Sequence, residues 1–417
     1  MKNKIRITSL LLAVIMLVSV VAMTSCTSLI IEQKGNYVTR GELEKLLEQS
    51  QGTVNNNITI NSNGDSDLLA ASRAVLSAVS VSCEFECRNY YNTYSAYSAG
   101  SGVIYKLDKA SGDAYIITNF HVVYNENSTN EKGIAKQINV YLYGQEYKNY
   151  AIPATYVGGA MNYDLAVLKV EGSEVLKGSS AMEVAVADSN DVAILDTAIA
   201  VGNPEGLGIS ATVGNINVDS EEIAIKMVTT SNVSMQIALR VMRTDAAVNS
   251  GNSGGGLFNS KGELIGIVNA KSADTTVESI GYAIPSNVAK SIADNIIYYC
   301  NGEDKTSVYR CLLGVTVSPV ECYSEFDTET GKVHKREVVA IAEINEGSLA
   351  DEVFKVADEI KSITVDGKTT EVTRVFMVVD SMLNARVGSE VSFEIERDGV
   401  QMTIPVTITE RTLTEVK

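Results

Sequence analysis

Between Val79 and Ile284 the chain repeats one pattern: short runs of β-branched and apolar residues separated by Gly, Asn, Asp and Ser turn signals. The clearest runs are Gly102–Leu107, Ala114–Thr118, Ile138–Tyr143, Leu165–Val170, Thr197–Val201, Ile209–Val218, Met235–Met242 and Glu263–Asn269. A parallel α/β sheet needs a long, usually helical crossover between successive strands, and none fits in these gaps. The pattern therefore predicts an all-β barrel or sandwich. The first long helical period falls at Pro285 to Cys300, where Val288, Ile292, Ile296 and Ile297 share a face and close the unit. A polar stretch, Asn301 to Ser307, precedes a second unit of about 100 residues, an ordinary domain size.

The N-terminus reads as an address. Lys2, Lys4 and Arg6 precede an apolar run from Leu10 to Met23, the charged head and hydrophobic middle of a secretory signal. The run ends in Met23-Thr24-Ser25-Cys26, which resembles a bacterial lipobox with Met where Leu is usual, so Cys26 is the expected lipidation site. Counted from Ile7 the run also reaches the short edge of a spanning helix, and an uncleaved anchor is the alternative. Both readings place the body of the protein outside the cytoplasm, anchored to a bacterial cell membrane. Residues 1–25 are read as signal or anchor, and 26–67 as a tether. Within the tether, a Thr-x-x-Glu capping box opens a short helix at Thr39–Gln51, followed by an Asn-rich linker from Thr53 to Asp67. The folded units are then 68–300 and 308–411.

Thirty-four Lys and Arg against 51 Asp and Glu leave a net charge of −17, which repels a phosphate backbone, so no nucleic-acid partner is expected. Of the six cysteines, lipidation of Cys26 leaves Cys83, Cys87, Cys300, Cys311 and Cys322, an odd set that cannot all pair. They are read as core residues with one optional bridge. Cys83 and Cys87 lack the second ligand pair of a zinc site and the chain has only two histidines, so no metal is expected. No G-x-x-x-x-G-K-[ST] nucleotide loop appears, and no cofactor is implied.

Three separately weak signals gain weight from their order. His121 ends the strand in Thr118-Asn119-Phe120-His121, Asp164 opens the run Leu165–Leu168, and Ser253 sits within Gly251-Asn252-Ser253-Gly254-Gly255-Gly256. A serine hydroxyl becomes nucleophilic when a base takes its proton, and a histidine base needs a carboxylate to fix its tautomer. Glycines flanking the serine let backbone N–H groups turn toward a developing oxyanion. The stretch also fits the G-x-S-x-G elbow of α/β-hydrolases, where the serine opens a helix and the histidine comes last. Here Leu257 to Gly266 reads as a β-hairpin, and the only later histidine is His334, in the separate second unit, where it reads as a solvated loop residue. The order His-Asp-Ser in an all-β context is that of chymotrypsin-like enzymes.

Thr118–Val122, Asp164–Lys169, Thr244–Gly255 and Gly281–Pro285 resemble signature segments of the HtrA/DegP family of trypsin-like serine proteases, and Gly202-Asn203-Pro204 and Ser101-Gly102-Val103 match further ones. The resemblance implies a mainly β fold, a chymotrypsin-like double β-barrel followed by a PDZ domain, with barrels from about Val79 to Asp188 and Val192 to Ile284. It implies Ser253 as nucleophile, His121 as base and then acid, and Asp164 as the orienting carboxylate. The oxyanion hole would be the N–H groups of Gly251 and Ser253 with Asn252 between them. Gly266–Ala270 should line the cleft as an edge strand, open to β-augmentation by a peptide. Ala247–Ser250, where the family's side-chain pocket begins, carries no charge, so the resemblance implies a preference for small aliphatic residues rather than Lys or Arg. Gly256 departs from the family's usual proline, which should loosen the turn after Ser253, and Tyr124–Lys136 reads as a surface loop.

The second unit resembles a PDZ domain, with Leu312-Leu313-Gly314-Val315 as its carboxylate-binding loop and Val375–Leu383 as the helix beside the groove. Together these imply a tethered endopeptidase acting on misfolded or exported proteins, capturing C-terminal peptides, and assembling as a homo-oligomer, a trimer by resemblance. The rival from another class is a non-catalytic chaperone or scaffold, which has no need of all three triad residues together.

Overall fold

The computed structural model describes residues 65–89, 91–145, 150–270, 280–300 and 308–416. Cys26, the signal, the tether helix and the polar stretch at 301–307 lie outside them. Among the described residues no helix is long and apolar enough to cross a membrane.

A helix, α1 (Asp65–Ser77), leads into the first barrel and sets Ala74 and Leu76 into buried positions. It begins within the segment read as linker. Six antiparallel strands follow: β1 (Ala78–Arg88), β2 (Thr93–Asp108), β3 (Asp113–Thr118), β4 (Gln137–Leu142), β5 (Ile152–Ala160) and β6 (Leu165–Val170). They close in the order β1-β2-β3-β6-β5-β4, which leaves no free edge. The interior is filled by side chains such as Phe85, Ile104, Ile116 and Leu168, all essentially inaccessible.

The second barrel uses β7 (Thr197–Gly202), β8 (Ser210–Val228), β9 (Ser234–Thr244), β10 (Gly256–Phe258), β11 (Leu264–Asn269) and β12 (Gly281–Pro285), closed in the order β10-β11-β12-β9-β8-β7. The expected double barrel is therefore present, and Ser253 does precede a β-hairpin. β11, however, is no edge strand. It pairs with β10 through Gly256↔Ile267 and with β12 through Val268↔Ala283 and Asn269↔Tyr282, so Gly266–Asn269 has no open side for a peptide. Barrel closure overrides the edge expected for this segment.

Helix α3 (Ser286–Tyr299) buries Val288, Ala289, Ile292, Ala293 and Ile296 in the core shared with β5 and β6, strapping the second barrel's end onto the first. A four-residue turn, α2 (Phe120–Val123), carries His121.

The C-terminal unit is tied back by β13 (Val308–Cys311) pairing with the last strand, β20 (Leu413–Val416). Its sheet runs β14 (Val315–Phe326), β15 (Val333–Ile344), β16 (Glu359–Val365), β18 (Glu390–Arg397), β19 (Val400–Thr407), with β17 (Lys368–Glu371) on β16. Helices α4 (Leu349–Val353) and α5 (Val375–Met382) flank it, over a core centred on Phe354 and Phe393.

Two expectations change here. Cys322 is exposed, because β14 continues past Pro319 as a run of solvent-facing residues, whereas Cys83, Cys87, Cys300 and Cys311 are buried free thiols. His334 lies in β15 opposite Glu325 rather than in a loop.

Candidate active site

His121 is held at two points. Its ring Nδ1 lies 2.7 Å from Asp164 Oδ2, and its backbone N–H donates to Asp164 Oδ1 at 3.0 Å. With Nδ1–H directed at the carboxylate, Nε2 is the nitrogen left to accept a proton. Asp164 is fully buried and sits in the left-handed region (φ 50°) after the turn Met161–Tyr163. An aspartate tolerates that conformation better than most side chains, since its short polar group bonds locally. Asp164 O accepts from Asn119 Nδ2 at 2.9 Å and from the Phe120 backbone N–H at 3.1 Å, so the whole residue is locked to the His121 turn.

Ser253 comes from the other barrel. Its turn is built on Gly251 (φ +95°) and Gly254 (φ +85°), conformations that side-chain-bearing residues rarely adopt. Ser101 on β2 stitches this turn to the first barrel. Ser101 N donates to Ser253 O at 2.8 Å, Ser101 Oγ donates to Gly251 O at 2.7 Å, and Asn203 N donates to Ser101 Oγ at 2.8 Å. Beyond the serine, Gly254 N donates to Val268 O and Val268 N to Gly255 O, at 2.9 and 2.8 Å. The turn after Ser253 is therefore pinned rather than loosened. The space a side chain at Gly256 would need is filled by the Phe258 ring, 2.3 Å from an added Cβ.

Ser253 Oγ accepts the Ala270 N–H at 3.2 Å, and among the described residues no hydrogen bond joins it to His121. Such bonds are commonly long before substrate binds. The N–H groups of Gly251 and Ser253 donate to no described protein group, whereas Asn252 N donates to Asn249 O at 3.0 Å. Asn252 therefore shapes the turn without offering its own N–H to it.

His121 and Ser253 line one cleft of about 530 Å³ with Tyr124, Lys226, Met227 and Ala270. The 124–136 segment is largely exposed, as read, and is anchored at its base: Tyr124 pairs with Ile134, and its hydroxyl donates to Val228 O at 2.9 Å. Among the described residues no group of three potential metal ligands converges.

The trypsin-like peptidase domain family matches residues 100–267, which hold His121, Asp164 and Ser253. The serine protease Do-like HtrA of Lactococcus lactis subsp. lactis (strain IL1403) is 31% identical over 325 residues, 76% of this chain and 71% of that one. The chain belongs to the HtrA family of trypsin-like serine proteases. The serine protease Do-like HtrA of Bacillus subtilis (strain 168) is 34% identical over 313 residues, 73% of this chain. A probable periplasmic serine endoprotease DegP-like of Chlamydia pneumoniae is 32% identical over 306 residues, 72% of this chain. The matches span 62% and 54% of those two relatives' own lengths.

Two features of the HtrA site were missed in the sequence. Asn269 Nδ2 donates to Asp164 Oδ2 at 2.8 Å, and Ala270 N holds Ser253 Oγ. Only the strand register, which turns Asn269 inward, reveals either.

A second cleft, about 780 Å³, lies between α5 and the β8–β9 hairpin. Arg240 on β9 bonds Asp380 of α5 and stacks over Phe376, and Arg374 bonds Asp219 at 2.5 Å. Burial pushes the Asp380 carboxyl above its ordinary range, against the pull of Arg240. In the loop Leu312–Val315, Leu312 N donates to Thr412 O at 2.7 Å, so that N–H is already engaged. Leu313 is buried, and Gly314 takes φ +84° beside Ser348.

Proposed function

We propose that this protein is an extracytoplasmic, membrane-tethered serine endopeptidase that cleaves unfolded, misfolded or exported proteins. The observation that carries the reading is the 2.7 Å His121–Asp164 pair opening on the same cleft as Ser253. Ser253 Oγ attacks the substrate carbonyl carbon while His121 Nε2 takes its proton. The oxyanion is held by the N–H groups of Gly251 and Ser253. His121 then passes the proton to the leaving amine, and water repeats the cycle to free the acyl group. The uncharged Ala247–Ser250 wall suits small aliphatic substrate residues.

The C-terminal unit serves as a PDZ domain that binds peptide tails. β14 is the terminal strand of its sheet with α5 alongside, the arrangement that strand addition needs. The carboxylate falls to Leu313, Gly314 and Val315. Cys26 supplies the tether by lipidation, in keeping with the periplasmic description of the Chlamydia relative, and the assembly is a homo-oligomer, a trimer by resemblance.

The test is degradation of casein by wild type and by Ser253→Ala. Loss of turnover by about 10⁶ in the variant supports the reading, as expected for removal of a triad nucleophile. Turnover retained in Ser253→Ala refutes it. Absence of cleavage by wild type, with and without C-terminal peptides, supports the scaffold reading instead.

A further inference from the structure

We propose that the first half of β2, Thr93–Ala99, is a binding edge for the part of the substrate that follows the scissile bond, selecting extended polypeptides that reach about eight residues past the point of cleavage. The proposal rests on the proteolytic reading above and gives it a substrate class.

Closure of the first barrel is complete in strand order, yet β2 outruns it. The strand is 16 residues long and pairs with β1 from Val103 back to Thr93, whereas β3 meets it only from Val103 onward. The direction of the backbone groups on the uncovered side follows from Ser101. Its N–H donates to Ser253 O at 2.8 Å and its carbonyl accepts from Thr118 Oγ1 at 2.7 Å, both on the side away from β1. Antiparallel pairing alternates, so Ala99, Tyr97, Ser95 and Thr93 turn their N–H and C=O groups the same way. The far side of β1 agrees. Glu84 and Glu86, opposite Tyr97 and Ser95, direct their carbonyls outward to Lys136 N and Thr129 N at 2.9 and 2.7 Å. Among the described residues no strand covers this side of β2, and all four residues are exposed, Tyr97 to 74%.

An open edge is ordinarily blunted by charge, proline or a bulge. Thr93-Tyr94-Ser95-Ala96-Tyr97-Ser98-Ala99 has no charge and no proline, and its ladder with β1 runs without a bulge. Continuity with the nucleophile fixes the occupant. β2 runs toward Ser253 and reaches it at Ser101, while the substrate segment leaving the cleavage point runs away from it, so the two lie antiparallel. Gly100 permits the approach: an added Cβ would meet Val122 at 2.7 Å and Ser253 O at 3.1 Å. Pairs at two-residue intervals carry the contact about 20 Å from Ala99 to Thr93. Backbone groups supply it, so the edge takes any extended sequence and refuses chain that is still folded.

The test is a series of fluorogenic peptides with a common sequence before the scissile bond and two, four, six, eight or ten residues after it. Between two and eight residues kcat/KM should rise about tenfold, the effect of two ordinary hydrogen bonds, and it should level off beyond. In the eight-residue member, N-methylation should lower kcat/KM at alternate residues only, the period of a paired strand. Tyr97→Pro removes an outward N–H without touching the β1 ladder and should flatten the gain with length, whereas Tyr97→Ala keeps that N–H and should retain the gain. If the proline variant does not fold, the wild-type length and N-methyl series decide alone. No gain with length, or N-methyl losses without alternation, overturns the proposal. So does a flat series in which Tyr97→Pro lowers the oligomeric state in sedimentation, because the occupant is then a second copy of the chain. If wild type cleaves no peptide, the proteolytic reading fails, and fluorescence anisotropy of the same peptides on wild type judges the edge. Affinity that rises with length and alternates with N-methylation supports it, and affinity independent of length overturns it.

Discussion

Gly254→Ala tests how tightly the nucleophile turn is set against the first barrel. Gly254 has φ +85°, and a Cβ there would lie 2.2 Å from Ser101 O, 2.4 Å from Thr118 Oγ1 and 2.9 Å from Asn119 N. Two of these are backbone atoms of β2 and of the His121 turn, and neither can rotate aside. The left-handed conformation alone costs a non-glycine residue about 1–2 kcal/mol. Overpacking in a filled site adds about 1–3 kcal/mol, so the expected destabilisation is about 3 kcal/mol. Relief of the clash requires the turn to back away by roughly 1 Å, a displacement able to lower activity about 100-fold. Gly172 provides the control: it has φ +62° and nothing within 4 Å of an added Cβ, so its alanine variant suffers the conformational cost alone. The assay pairs urea melts with kcat/KM on casein-derived peptides. Equal stability and equal activity for Gly254→Ala and Gly172→Ala would refute the packing argument.

Gly256→Ala should destabilise by about 2 kcal/mol through the Phe258 ring, and Gly256→Ala with Phe258→Leu should recover part of it in a double-mutant cycle of urea melts. Burial opposes ionisation of Asp358, but the paired 2.6 Å bonds from Arg397 and the Lys355 N–H outweigh it and hold its pKa below the ordinary value of 3.8. Its stabilisation is therefore complete above the ordinary carboxylate range and is lost as pH falls through the lowered folded pKa. Asp358→Asn should lose about 3 kcal/mol at pH 7, as expected for a broken buried pair, and the gap from wild type should close in melts taken at progressively lower pH. Burial pushes the Cys83 thiol up to about 12 and raises Cys87, Cys300 and Cys311, while Cys322 is exposed. Peptide mapping after brief iodoacetamide treatment of native protein should find Cys322 alkylated and these four protected until denaturant is added.

The double barrel was legible because most of its strands are short apolar, β-branched runs bounded by turn signals, and Leu165–Val170 was read to the residue. What escaped had a local reason. β10 is only three residues and lies in a glycine run, and β5 carries Pro153, Gly158 and Gly159, residues that normally argue against a strand. β8 was read to Val218 but runs to Val228, since the cluster Asp219 to Glu222 resembles a turn while bulges at Ile216/Val218 and Val218/Glu221 carry the pairing through it. His121, Asp164 and Ser253 could be picked out by residue type, order and spacing. Asn269 could not, since a single asparagine in an apolar strand carries no message until the register places it 2.8 Å from Asp164. The same limit produced the false edge at Gly266–Asn269, although Ala270 does line the cleft: closure of a barrel is a property of six strands at once, not of the five residues being read.

The two halves of the site come from different barrels, His121 and Asp164 from the first and Ser253, Asn269 and Ala270 from the second, with Ser101 sewing the seam. Turnover is therefore a gauge of docking rather than of folding. A chain cut in the segment between β6 and β7 would yield two inert pieces, because one hydrophobic core and the α3 helix run across both, and their mixture would regain function only as fast as the seam re-forms.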